Sequence, residues 1–98
     1  MNKFDIHIAD VPFEDVDGTK LRPVLILEDK VCLISCLPIT SNTSRPEDYV
    51  IQKWKESGLN KPSAIRLLQV LDLEPAMIGS KIGTLHPIDI LEIQGRLW

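Results

Sequence analysis

The sequence predicts a mainly β, α+β domain: short antiparallel strands curled around a small core and closed by one C-terminal helix. The strongest indication is the stretch 21–41, LRPVLILEDKVCLISCLPITS. It holds two apolar runs, 24–27 and 31–37, with only Glu28, Asp29 and Lys30 between them. Neither run alternates apolar with polar residues, so each reads as a strand covered on both faces. The connection is too short for a crossover, which makes the pair an antiparallel hairpin. The other apolar segments are short and bounded by Pro or Gly, as strands of a small β domain are. Only residues 87–98 open on a proline and place acids early, in the manner of a helix.

The elements follow in order. Residues 3–9 (KFDIHIA) alternate, with Phe4, Ile6 and Ile8 facing one way and Lys3, Asp5, His7 and Ala9 the other. That is a half-buried first strand, and its phase makes His7 a surface histidine rather than a catalytic one. Residues 10–20 form a loop punctuated by Pro12 and Asp17-Gly18. It carries Asp10, Glu14, Asp15 and Asp17, and reads equally as a binding loop or a solvated connection. Beyond the hairpin, 40–44 is a hydroxyl-rich loop and 48–51 a short strand. Residues 52–59 fit a single helical turn stopping at Gly58, with Trp54 as a packing anchor.

Residues 63–73 (SAIRLLQVLDL) read as a strand; the pattern also fits a helix, but Pro62 and Pro75 favour the strand. Arg66 sits there among apolar neighbours. An unpaired buried charge is costly, so it either meets a carboxylate or opens onto a functional cleft. Residues 77–85 form another strand, with Gly79 and Gly83 marking bends or close backbone approach. In the terminal helix, Ile88, Leu91, Leu97 and Trp98 supply the packing face, and Gly95 weakens it by about 1 kcal/mol relative to Ala. A small SH3-like barrel with a terminal helix, one domain over residues 1–98, accommodates all of this.

Composition narrows the function classes. The chain has 98 residues, 44% of them hydrophobic and 26% charged, an ordinary globular balance. A net charge of −3 and a pI near 5.2 exclude a bulk polyanion binder, so any nucleic-acid contact must use a local basic patch. No apolar run approaches the roughly 20 residues of a membrane span, and the start of the chain does not read as a signal peptide. A cytoplasmic protein is expected. Cys32 and Cys36, four apart on one strand, would have Cα atoms roughly 13 Å apart, too far for a disulfide, and read as buried thiols. There is no phosphate-binding Gly-rich loop, nucleophile elbow or zinc-type Cys/His cluster, so neither metal nor cofactor is expected.

The hairpin also locates possible chemistry. If its turn centres on Asp29, Arg22 lies opposite about Cys36. Thr40 then falls roughly 10–13 Å further along an ideal strand, and a bend after Pro38 is needed to bring its hydroxyl to the guanidinium.

Taken together, several segments resemble one family. They are Asp10 to Phe13, the loop with Gly18, Leu21-Arg22-Pro23-Val24-Leu25-Ile26 and Leu37-Pro38-Ile39-Thr40-Ser41. Lys61-Pro62-Ser63, Ile65-Arg66-Leu67 and Lys81-Ile82-Gly83-Thr84-Leu85 follow before the closing helix. In this order they resemble the PemK/MazF-like toxins of bacterial type II toxin–antitoxin modules, over nearly the whole chain. The resemblance implies a homodimeric SH3-like barrel that cuts single-stranded RNA without a metal. The 2′-hydroxyl attacks the adjacent phosphate, leaving a 2′,3′-cyclic phosphate and a 5′-hydroxyl, and a cognate antitoxin blocks the site. It assigns Arg22 and Thr40 as catalytic and matches Arg66 to a second cationic position at the RNA; Lys20 and Lys61 would complete a local basic cleft, and Ser41 beside Thr40 is a further candidate RNA contact. Some members carry an acidic residue two positions after the arginine matched by Arg66; here that position is Leu68. The competing expectation is a catalytically silent barrel that binds a protein partner or nucleic acid, since a small barrel serves many functions.

Overall fold

A computed structural model describes residues 1–12 and 18–97. The described residues form seven strands and one α-helix: β1 Asp5–Pro12, β2 Thr19–Asp29, β3 Ile34–Thr40, β4 Tyr49–Val50, β5 Ala64–Ile65, β6 Leu71–Leu73, β7 Ile78–Thr84 and α1 Pro87–Leu97. A single 3-10 turn, Pro75–Met77, leads into β7. Every pairing is antiparallel, in the order β4-β5-β3-β2-β1-β7, and β6 pairs with the first half of β3. The expected class, antiparallel strands closed by a C-terminal helix, is what forms.

The hairpin strands lack a solvent face because two cores sandwich them. Leu25 and Leu37 point into one, with Phe4, Ile6, Ile39, Tyr49, Ile65, Leu85 and Ile93. Their neighbours Val24, Ile26 and Cys36 point into the other, with Ala9, Val11, Ile34 and Leu73. Alternate residues of one strand thus feed opposite cores, which produces the unbroken apolar run in the sequence. The sheet curls until its ends meet. The segment after β4 reaches β7, where a Cβ on Gly83 would lie 2.0 Å from the Ser57 carbonyl oxygen and one on Gly58 2.2 Å from that of Ile82. Gly58 also has φ +92°, which a side chain would strain.

Several details differ from the sequence reading. His7 is buried, because its face of β1, shared with Ala9 and Val11, belongs to the second core; it pairs with Lys81 on β7, and its Nδ1 lies 3.0 Å from the Gly79 carbonyl oxygen. The second apolar run starts its strand three residues late. Val31 takes a left-handed φ of 72°, its N–H donates to Asp29 Oδ1, and Val31, Cys32 and Leu33 are exposed in the turn. Cys32 is therefore not a buried strand thiol, whereas Cys36 is. Residues 63–73 form two short strands rather than one, broken by a turn in which Gln69 N–H donates to Arg66 O. On α1, Ile90 and Ile93 pack on the core while Ile88 and Leu91 face outward. The proposed packing of Leu97 and Trp98, and the centre of the loop after β1, lie outside what is described. Trp54 does pack against the first core.

Candidate active site

The register of the hairpin fixes the site. Asp29 pairs with Ile34 and Ile26 with Cys36, but a bulge at Leu27 shifts the ladder, so Val24 faces Pro38. Arg22 and Thr40 each lie two residues beyond that pair, at the open end of the hairpin. The expected pairing of Arg22 opposite Cys36 is corrected by the later turn and the bulge: Cys36 pairs with Ile26, the β2–β3 ladder ends at Val24 and Pro38, and β3 then pairs with β5 through Ile39 and Thr40. A bulge re-aims the side chains that follow it, as it does here.

Arg22 and Thr40 line a common cleft of about 460 Å³ with Lys20, Ser41 and Lys61. Its remaining lining is Ile8, Pro23, Ile39, Leu59 and Ile82, with Gly58, Asn60 and Ser63. Among the described residues, three cations thus line this partly apolar cleft and no carboxylate does. A local basic site therefore exists within an acidic chain. Among the described residues no carboxylate forms an ion pair with Arg22, so its fork of N–H donors is not occupied by a structural partner. Backbone pairing with Ala9 holds Arg22 in mid-ladder, where it is half-buried.

Thr40 ends β3, and its backbone pairs with Ala64 on β5. Its Oγ1 accepts the Asn42 N–H at 3.1 Å. A hydroxyl has one donor and two acceptor positions, so its own proton remains available for a ligand in the cleft.

The third wall comes from the segment between β4 and β5. Asp89, the third residue of α1, is fully buried and accepts three hydrogen bonds from outside its own helix. Oδ1 takes Tyr49 Oη–H at 2.5 Å and Gln52 N–H at 2.8 Å; Oδ2 takes Lys53 N–H at 2.9 Å. Burial, then the bond to the Asp89 carboxylate, pushes the Tyr49 hydroxyl well above the usual phenol range. Further along, Ser57 N–H and Oγ–H both donate to Lys53 O, and His86 N–H donates to Ser57 Oγ. Gly58 then turns the chain against β7, and Leu59, Asn60 and Lys61 enter the cleft. Ser63 Oγ–H donates to Lys61 O at 2.9 Å and fixes the turn that follows.

Arg66 is the expected site residue that does not line the cleft. Its Nε lies 3.9 Å from Oδ1 of Asp48, whose side chain is buried, and Arg45 approaches Oδ2 at 3.8 Å. Of the two alternatives in the sequence, the carboxylate partner is the one found. Gly58, Leu59, Asn60 and Ser63 were not anticipated as lining residues. Gly58 was the available signal, because a glycine ending a helical turn marks a place where the chain must reverse tightly.

Comparison with known proteins bears directly on this arrangement. A family model described as PemK-like, MazF-like toxin of type II toxin-antitoxin system matches residues 2–98. The chain belongs to this family. PemK- and MazF-like toxins are, as a family, endoribonucleases. The fold is shared with Mycobacterium tuberculosis toxin MazF-mt6, at a TM-score of 0.76 and 24% identity over 95% of this chain and 91% of that one. It is shared too with an endoribonuclease in complex with its cognate antitoxin from Mycobacterial species. There the TM-score is 0.74 and the identity 14%, over 99% of this chain and 88% of that one. At those identities the likeness speaks for the fold. No curated protein matches the sequence. Among the described helices none is long and apolar enough to cross a membrane.

Proposed function

We propose that this PemK/MazF-like chain is a sequence-selective, metal-independent endoribonuclease that cuts single-stranded RNA and is silenced by a cognate antitoxin. The observation that carries the proposal is the meeting of Arg22 and Thr40 in one cleft with Lys20 and Lys61, lined by no carboxylate among the described residues.

The chemistry follows from those groups. The substrate's own 2′-oxygen forms a bond to phosphorus as the bond to the 5′-oxygen breaks. The 2′-hydroxyl gives up a proton, the departing 5′-oxygen gains one, and the products are a 2′,3′-cyclic phosphate and a 5′-hydroxyl. No co-reactant is consumed. Negative charge builds on the non-bridging oxygens, and the Arg22 guanidinium is shaped to hold two of them at once. Thr40 Oγ–H donates to the same developing charge or to the leaving oxygen. Arg22 stabilises charge rather than taking the proton, because a guanidinium offers five N–H donors and no acceptor. Lys20, Lys61 and Ser41 hold flanking phosphates and sugars, and the aliphatic walls cover the faces of unstacked bases. In this reading Arg66 supports the fold beside Asp48 and contributes to RNA binding only through long-range charge.

A second copy of the chain would double the basic cleft, and a homodimer is part of the proposal. Antitoxin control is supported by the structural neighbour that is bound to its antitoxin. The test is expression in bacteria without any antitoxin. Growth arrest is expected, with relief by Arg22→Ala in a protein that remains folded and present at equal level. Harmless expression of folded wild-type protein would favour the non-catalytic binding barrel.

A further inference from the structure

We infer that Asp89 is a positioning residue that holds the cleft's third wall, and that it sets how tightly RNA is bound without touching it. The inference rests on the nuclease reading for its consequence, but its geometry is independent of it.

An acid in the first turn of a helix ordinarily serves the N–H groups or the dipole of its own helix. In α1 a local ring nitrogen already occupies that role: Ile88 N–H donates to His86 Nδ1 at 3.1 Å. The Asp89 carboxylate turns to a different segment and ties Gln52 and Lys53 to the helix. Tyr49 backs it from β4, and Arg96 on the same helix lies 4.8 Å from the centre of the Tyr49 ring. At its far end the segment is fastened again, by Ser57 to His86 and by the Gly58–Gly83 backbone contact. Held at both ends, it delivers Leu59, Asn60 and Lys61 to the cleft. Arg22 and Thr40 stand on β2 and β3, which these bonds do not involve. Loosening the Asp89 bonds therefore displaces a binding wall and leaves the charge-stabilising pair where it is.

The experiment compares wild type, Asp89→Asn and Tyr49→Phe at a temperature at which each is folded. Initial rates of RNA cleavage give KM and kcat, and amide hydrogen exchange reports local opening. For Asp89→Asn, KM should rise about tenfold with kcat within about threefold, the pattern of lost binding rather than lost chemistry. Exchange should quicken in residues 52–61 and stay unchanged along β2 and β3. Tyr49→Phe, which removes only the Tyr hydroxyl bond, should move both readouts less and in the same direction, and it carries the test alone if Asp89→Asn does not fold. Unchanged KM with unchanged exchange at 52–61 would overturn the inference. So would exchange that quickens throughout the protein, which marks a general stability role. If the wild type cleaves no RNA, the nuclease reading fails, and exchange still decides whether Asp89 fastens the wall.

Discussion

Arg22 and Thr40 each lie two residues beyond Val24 and Pro38, the last pair of the β2–β3 ladder, at the open end of the hairpin. Both side chains enter the same cleft. Replacing either should therefore cost activity without unfolding the barrel. Arg22→Ala should lower kcat/KM by roughly 10²–10³, the scale of losing one preorganised donor to a developing oxyanion. Arg22→Lys should recover only part, since it keeps the charge and loses the fork. Thr40→Ser should remain active and Thr40→Ala should not; steady-state kinetics with unchanged Tm check both.

Lys20 and Lys61 flank that pair. If both meet phosphates, binding of single-stranded RNA should weaken steeply with salt. Lys20→Ala and Lys61→Ala should each flatten the slope of log K against log salt by about 0.7. Titration of a labelled oligonucleotide at several salt concentrations measures this. A slope unchanged in both variants would remove these lysines from the RNA path.

The glycine contacts make opposite predictions along the chain. A methyl group on Gly83 meets the Ser57 carbonyl at 2.0 Å, so Gly83→Ala should destabilise by about 1–3 kcal/mol as backbone is forced apart. Gly95 faces open space on α1, so Gly95→Ala should stabilise by about 0.5–1 kcal/mol through helix propensity. Urea unfolding of the two variants should shift the midpoint in opposite directions.

The two thiols should differ sharply. Burial, with a smaller push from Asp72, raises Cys36 from 9.0 to about 12, while Cys32 is exposed in the turn. Thiolate is the reactive form, so at pH 8 Cys36 should alkylate about a thousandfold more slowly than an ordinary thiol. Mass spectrometry after a short iodoacetamide pulse should find one label on native protein, at Cys32, and two after denaturation.

The hairpin was legible because both cores write onto it: Leu25 and Leu37 face one, Val24 and Cys36 the other. The terminal helix was legible from Pro87 and its early acids. What misled was local. Val31, Cys32 and Leu33 are as apolar as a strand, but the reversal consumed them, and no turn residue marked it. His7 obeyed the alternation that predicted exposure, but its face of β1, with Ala9 and Val11, belongs to the second core. The bulge at Leu27 has no sequence signature and shifts the ladder by one residue; the later turn does the rest in moving Cys36 away from Arg22. Asp89 looked like an ordinary first-turn acid, since its three partners lie 36 to 40 residues away. Family resemblance supplied Arg22 and Thr40; the cleft they share is what joins those two positions.

The most direct test is to incubate the purified protein, free of antitoxin, with a long single-stranded RNA in EDTA and map the fragment ends. Discrete cuts bearing 2′,3′-cyclic phosphates and 5′-hydroxyls, absent with Arg22→Ala and Thr40→Ala, are the expected result. RNA that stays intact across many sequences, with the protein folded, would contradict the account and leave a barrel that binds without cutting.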